Sequence, residues 1–419
     1  MVRLEPMAAN SPLGPIAALD IGTAKMTCVI ARSDANGQVR VLASATRASQ
    51  GMRNGAVVDI EAAGLCAGAV VETAEAAAHE SVERVIVNVS SGAIQSRQQQ
   101  SSIALAQRAI DTQDLNAVLA QSRADIPADG REILHFLPLG YAVDGNRGIR
   151  DPRGLFGQTL ALETVTISCL DSAARTLRTS VARAHLDAKP VVASAFAAGL
   201  AVLHEEERDL GITVIDLGAG STNFAIFYEG EPIFCDSLPV GGAHVTQDIA
   251  QGLSTPVSYA ERLKTLHGSC LTSASDERDM LDIQPLGGEA EAMQAPRSLL
   301  NQIILARIEE TLEMVRDRIK TSPAHRFAGG GAVLTGGASQ LHGLRELAGQ
   351  VLDKRVRIGR PSGIAGLADL SDDPAFATVI GLVQFARRHP QGTSANGAGG
   401  KRERDGMISR LSGWLRGDR

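Results

Sequence analysis

The feature that most narrows what this chain can fold into is a device that occurs twice. From Ile16 to Ile30 two short apolar strands, AALDI and MTCVI, are separated by Gly-Thr-Ala-Lys; from Gly211 to Phe227, GITVIDLGAGSTNFAIF, the plan of strand, Asp-x-Gly turn and strand returns. Asp20 and Asp216 lie about 200 positions apart, and self-similarity on that scale predicts a duplicated α/β architecture in which each half gives one loop to a shared cleft. A chain of 419 residues is also too long for one growing core, so a multi-lobed molecule is expected. Aromatic residues make up only 3%, which leaves small aliphatic side chains to fill the interior.

Charge and cysteine usage exclude several classes. A net charge of -6 supplies no field that would draw in nucleic acid, so no nucleic-acid partner is expected. The five cysteines, Cys28, Cys66, Cys169, Cys235 and Cys270, are scattered with no pair at metal-ligand spacing and read as reduced cytosolic thiols. Met1 to Pro15 lacks an apolar core of signal-peptide length. The most apolar long stretch, Val191 to Leu203, is too short to span a bilayer, so any membrane contact is expected to be peripheral.

Along the chain, residues 61–79 predict a helix and Arg84 to Val89 a strand. Residues 85–164 then break the pattern with a Gln/Ser tract, SSGAIQSRQQQSS, a helix candidate at Thr112 to Ser122 and strand-like pieces, and read as an inserted domain; the tract is expected to be a solvated hairpin loop. Strands resume at Leu162 to Cys169, followed by helices at Ser172 to Leu186 and Val191 to Leu203. A long helix is predicted over Arg297 to Lys320, where Leu300, Ile304, Ile308, Leu312, Val315 and Ile319 recur at intervals of three and four. After an apolar segment at Thr378 to Ala386, the run HPQGTSANGAGG has the composition of a flexible linker.

The two turns carry chemistry. Glycines allow backbone N–H groups to approach a polyphosphate, small hydroxyl residues add donors, and a carboxylate such as Asp20 or Asp216 can hold hydrated Mg2+. One such hairpin alone is compatible with a bland tight turn; two in one chain are harder to set aside. A third segment, AVLTGGASQ (Ala332 to Gln340), runs from an apolar strand into paired glycines, against which a base or ribose could lie, though an ordinary strand-to-helix turn reads the same way. Neither GxGxxG nor GxxxxGK[ST] occurs in any of the three.

In this order the three segments resemble the motifs of the actin, DnaK-chaperone and sugar-kinase superfamily. Within it the chain most resembles the FtsA family of bacterial cell-division proteins, from about Ile16 to Ala386. That resemblance rests on ILHFLPLGYAVDGNRGIRDPRGLFG (Ile133 to Gly157), LPVGGAHVTQDIAQGL (Leu238 to Leu253), AERLKTLHG (Ala260 to Gly268) and VRIGRPSGIAGL (Val356 to Leu367). It implies a duplicated actin/DnaK-type ATPase fold with two lobes around a nucleotide cleft plus an FtsA-type inserted subdomain. The divisions it implies are an N-terminus at 1–14, subdomain 1A at 15–84 and 165–208, insert 1C at 85–164, subdomain 2A at 209–242 and 328–388, subdomain 2B at 243–327, a linker at 389–404 and a terminal helix at 405–417. It implies ATP and Mg2+ as cofactors. Asp20, Gly22, Thr23 and Lys25 would form the first phosphate loop, and Asp216, Gly218, Gly220, Ser221 and Thr222 the second. Gly336, Gly337 and Ser339 would lie on the adenosine side, with Glu261 and Lys264 near the base; on a helix those last two could equally form a solvent-facing ion pair. The implied partners are FtsZ, further copies of this chain, later division proteins and an anionic membrane surface, with localisation at the cytoplasmic face of the inner membrane.

Several ATPases of this superfamily place a glutamate before the proline that precedes the second phosphate strand; here that position is Lys189, a poor base at neutral pH, so ATP binding with slow or no turnover is expected. The C-terminal run KRERDGMISRLSGWLRGDR sets Met407, Ile408, Leu411, Trp414 and Leu415 on one helical face, with Arg410 and Arg416 off it. Periodicity alone leaves open whether this helix docks on protein or on a membrane; the linker, the single tryptophan and the basic flank point to a membrane. A small-metabolite kinase or a PilM-like pilus-assembly protein is the alternative within the superfamily; a kinase would have no use for such a tail, and the Gly-rich linker and terminal tryptophan helix argue against the PilM-like reading.

Overall fold

A computed structural model of the chain describes residues 14–33, 38–106, 108–286, 293–366 and 372–389. The expected N-terminal segment before residue 14, the linker and the terminal helix with Met407, Ile408, Arg410, Leu411, Trp414, Leu415 and Arg416 lie outside those residues.

The first lobe runs β1 (Ile16–Ile21), β2 (Lys25–Ser33), β3 (Val39–Ala48), the short ladder β4 (Met52–Arg53) and β5 (Ala56–Val57), α1 (Ile60–Ala78) and β6 (Arg84–Val89). The insert follows as β7 (Gln95–Ala104), α2 (Thr112–Ala124), β8 (Arg131–Val143), β9 (Asn146–Ile149) and β10 (Thr159–Leu170). The lobe resumes with α3 (Asp171–Ala182), β11 (Asp187–Ala193) and α4 (Ser194–Val202). The second lobe comprises α5 (Glu205–Leu210), β12 (Ile212–Leu217), β13 (Thr222–Tyr228), β14 (Glu231–Leu238), α6 (Gly242–Gly252), α7 (Val257–His267), β15 (Met280–Ile283), β16 (Met293–Pro296), α8 (Arg297–Thr321), β17 (Gly331–Thr335), α9 (Leu344–Leu352), β18 (Arg355–Ile358) and α10 (Ala377–Arg388).

Two sheets of one topology are the result. The first is ordered β3-β2-β1-β6-β11 and the second β14-β13-β12-β17-β18; in each, three antiparallel strands joined by hairpins are extended by two parallel strands on the far side of the first. The duplication extends to register, because Asp20 pairs with Thr27 and Asp216 with Asn223, the same offset in both hairpins. Two symmetry-related helices fill the space between the sheets. α4, buried at every position, packs on β12 and β13 of the second lobe, whereas α10 packs on β1, β2 and β6 of the first. They meet so closely that a Cβ on Gly381 would lie 1.7 Å from the Ala197 carbonyl, so glycine is required at that crossing. The apolar stripe of α8, Leu300 to Ile319, is buried as its spacing predicts.

Four boundaries move. β6 bonds to β1 and so belongs to the first lobe, and β10 stays in the insert to Leu170, so the insert lies between residues 90 and 170 and not at 85–164. Val191 to Ala193 form a strand beside Val87 to Val89, with the helix starting only at Ser194; a short apolar run cannot by itself separate a fully buried strand from a helix. The helix read to Leu186 ends at Ala182. The Gln/Ser tract is not a loop but the edge strand β7, paired along its whole length with β10. Its inward polar groups are satisfied by α2: the Gln99 amide donates to the Ser122 carbonyl at 2.6 Å and the Ser101 hydroxyl to Asp125 at 2.5 Å.

The insert is fastened to both lobes. The Ser96 hydroxyl accepts from the Cys235 N–H (2.7 Å) and donates to the Cys235 carbonyl (2.9 Å), standing in for a neighbouring strand at the edge of β14. His135 accepts the Ala193 N–H at 3.1 Å, and its ring meets Phe196 and Phe385 edge-on at 4.8 and 5.7 Å, which ties β8 to α4 and α10. All five cysteines are buried free thiols.

Candidate functional site

The two Asp-x-Gly turns face each other across a cavity of about 920 Å³, a volume suited to a small organic ligand. They close in the same way: the Gly22 N–H donates to the Lys25 carbonyl at 3.2 Å and the Gly218 N–H to the Ser221 carbonyl at 2.9 Å. The tips touch. A Cβ on Gly220 would sit 2.3 Å from the Thr23 hydroxyl, which itself accepts the Gly55 N–H at 2.9 Å. A side chain at Gly220 would therefore force the turns apart.

Each aspartate is held by a residue far away in sequence. The Asn88 side chain hydrogen-bonds Asp20, accepts the Ile21 N–H at 2.7 Å and donates to the Ser194 hydroxyl at 3.1 Å. The Thr378 hydroxyl donates to Asp216 at 3.0 Å. Burial, followed by the like charge of Asp216 and tempered by Lys25 and Asn88, pushes the Asp20 carboxyl up to about 7. Burial raises Asp216 to about 6, against the Thr378 bond. Two carboxyls so placed are short of positive charge, and a cation that joined them would favour their ionised forms. Among the described residues no group of three or more His, Cys, Asp or Glu converges on a metal position.

Of the residues anticipated from sequence, Asp20, Gly22, Thr23, Lys25, Asp216, Gly218, Gly220, Ser221, Glu261, Lys264, Gly336 and Gly337 line the cavity. Two do not. The Thr222 hydroxyl donates to the Val240 carbonyl at 2.8 Å, and the buried Ser339 hydroxyl turns back to the Gly336 carbonyl at 2.7 Å, where it braces the glycine loop. That loop leads into a short 3₁₀ turn, Gly337–Gln340, before α9. Gly336 is needed for its φ of +83° and because a Cβ would lie 2.3 Å from an Asp216 carboxylate oxygen. Lys264 is not a solvent-facing partner of Glu261. Mostly buried, it donates to the Gly242 carbonyl (3.0 Å), the Thr246 hydroxyl (2.9 Å) and Glu261 (2.7 Å), stapling α7 to the start of α6 at the cavity wall. Lys189 is exposed on β11, at the sheet edge, outside the cavity lining.

Sequence reasoning missed Asn88, Ser90, Asn223, Arg297, His342 and Thr378, all of which line the cavity. A signal existed for Asn88 and Asn223, amides in the largely apolar strands RVIVNV and TNFAIFY, where such residues are depleted.

Duplicated sheets, paired central helices and facing glycine turns define an actin-like protein. Solved structures agree on the fold: the PilM-PilN type IV pilus biogenesis complex matches with a TM-score of 0.61 at 18% identity, covering 89% of this chain and 98% of that one. MreB5 of Spiroplasma citri bound to ADP matches at 0.53 and 14%, covering 90% and 98%. The family described as Cell division protein FtsA matches residues 213–381, and the SHS2 domain inserted in FTSA matches residues 91–168, in agreement with the insert limits set by strand pairing. Cell division protein FtsA of Rhizobium meliloti is 38% identical over 98% of this chain and 94% of its own length; that of Agrobacterium fabrum is 40% identical over 91% and 89%, and that of Escherichia coli 29% over 96% and 97%. The chain belongs to the FtsA family of actin-like cell-division proteins.

Proposed function

We propose that this chain binds Mg-ATP between its lobes, self-assembles in that state, and attaches FtsZ filaments to the cytoplasmic face of the inner membrane, where later division proteins join it. The observation that carries the reading is the pair of like-built turns that bring Asp20 and Asp216 to one cavity. Gly22 and Gly218 let each turn close on its own carbonyl and Gly220 lets the two tips meet, so that Ser221 and Thr23 can offer hydroxyls to phosphate oxygens in the cavity. Asp20 and Asp216 would hold a hydrated Mg2+, which supplies the positive charge that their raised carboxyls lack. Gly336 and Gly337 would flank the adenosine, and Lys264 with Glu261 would wall off its far side. The likeness in fold to an MreB described as bound to ADP supports a nucleotide as the ligand.

Turnover in this reading is slow or absent: the position expected to carry a glutamate base is Lys189, a poor base that also lies outside the cavity lining. Nucleotide then acts as an assembly switch. The Lys401 to Arg419 segment is the membrane contact, with Met407, Ile408, Leu411, Trp414 and Leu415 buried at the headgroup boundary and Arg410 and Arg416 on anionic lipid. Among the described residues no helix is long and apolar enough to cross a membrane. A single such helix binds weakly, and many in one filament bind firmly through effective concentration.

Liposome sedimentation of the full chain and of a truncation after residue 400, each with Mg-ATP and FtsZ, tests the reading. The full chain should carry FtsZ into the pellet and the truncation should not; equal binding by both removes the anchor. Rapid steady-state phosphate release would remove the switch.

A further inference from the structure

The turn from Asp373 to Phe376 touches both ends of the cleft. The Pro374 carbonyl accepts from the Gly336 N–H at 3.1 Å and from the Thr335 hydroxyl at 3.2 Å, which fastens the turn to the glycine loop. Asp373 caps it, accepting from the Ala375 N–H at 2.8 Å and from the Gln340 amide at 2.9 Å. At the other end the Phe376 ring lies with its centroid 3.5 Å from the Lys25 ammonium. A side chain of the second lobe thus holds the cation that belongs to the first lobe's turn. Burial draws the Lys25 pKa down, and the charges of Asp373 and Asp20 offset this.

We propose that Phe376 is a positioning residue that sets where Lys25 rests: the ring keeps the ammonium on the second lobe until a polyphosphate competes for it. The inference rests on the reading of the cleft as a nucleotide site. An aromatic face offers an ammonium only a quadrupole, whereas a phosphate oxygen offers full charge and a charge-assisted hydrogen bond, so the exchange runs toward phosphate. A ligand with phosphates must break the ring contact; adenosine leaves it intact. The ring therefore weakens polyphosphate binding selectively, and loading releases one tie between the lobes.

Calorimetric titration of the full chain with Mg-ATP and, separately, with adenosine tests this in the wild type, Phe376→Leu and Phe376→Tyr. Loss of the ring in Phe376→Leu should tighten Mg-ATP about 2- to 30-fold while adenosine affinity stays the same, the range expected for one cation–π contact. Phe376→Tyr, which keeps the ring, should match the wild type for both ligands. Equal shifts for Mg-ATP and adenosine, or a tyrosine variant that behaves as leucine does, would overturn the proposal. A wild type that binds neither ligand would overturn the nucleotide reading of the cleft and this inference with it. Should Phe376→Leu fail to fold, Phe376→Met carries the same comparison.

Discussion

Replacing Asp216 by asparagine should stabilise the nucleotide-free protein, and the size of the gain follows from the site. The carboxyl moves from an ordinary 3.8 to about 6 because it is buried, with only the Thr378 hydroxyl to favour its charge. A group whose folded pKa is raised costs stability as pH climbs through its unfolded value, and the full penalty is present once pH exceeds the folded value. For Asp216 that window runs from 3.8 to about 6, and the penalty above it is about 3 kcal/mol. Asparagine has nearly the same shape, retains an acceptor for Thr378 and carries no charge. It also removes the negative neighbour that raises Asp20, so the gain is not confined to one carboxyl. Urea unfolding of wild type and Asp216→Asn without nucleotide should show the variant more stable by about 3 kcal/mol at pH 8, the difference shrinking toward pH 4.5 as the wild-type carboxyl takes up its proton. With Mg-ATP present the order should reverse, because the variant offers the cation one carboxylate in place of two. Equal stability at pH 8, or a gain that persists undiminished at pH 4.5, would refute the reasoning.

Three further outcomes are expected. Asn88→Ala leaves the buried Ile21 N–H without its 2.7 Å acceptor and should cost about 1–3 kcal/mol in denaturant unfolding, while NMR titration should find the Asp20 carboxyl higher still. Gly336→Ala places a Cβ 2.3 Å from Asp216 on a backbone with φ of +83°; it should cost about 1–3 kcal/mol and abolish ATP binding in equilibrium titration. Gly381→Ala drives a methyl to 1.7 Å from the Ala197 carbonyl where α4 and α10 cross, so a loss of about 3 kcal/mol or more is expected by thermal or chemical unfolding, with no ligand needed to see it.

The tertiary structure also shows why some of this was legible in the chain and some was not. Both hairpins, α8 and the glycine loop were readable because each depends on residues that are neighbours in sequence: a strand turning at Asp-x-Gly, or an apolar stripe recurring every three to four positions. The duplication was readable because the two copies retain the same residue types at the same offsets. Only the tertiary structure decided that β6 joins β1 and that β10 remains with the insert, since a strand's partner is chosen by long-range packing that its own alternation does not encode. It likewise turned Ser339 and Thr222 away from the cavity, where nearby carbonyls take their hydroxyls. Thr378, 162 positions from Asp216, was beyond any local pattern. The chain alone determined that two acidic turns would be built; folding alone determined that they would meet, because only burial between two lobes brings both carboxyls into one water-poor cleft and changes their chemistry.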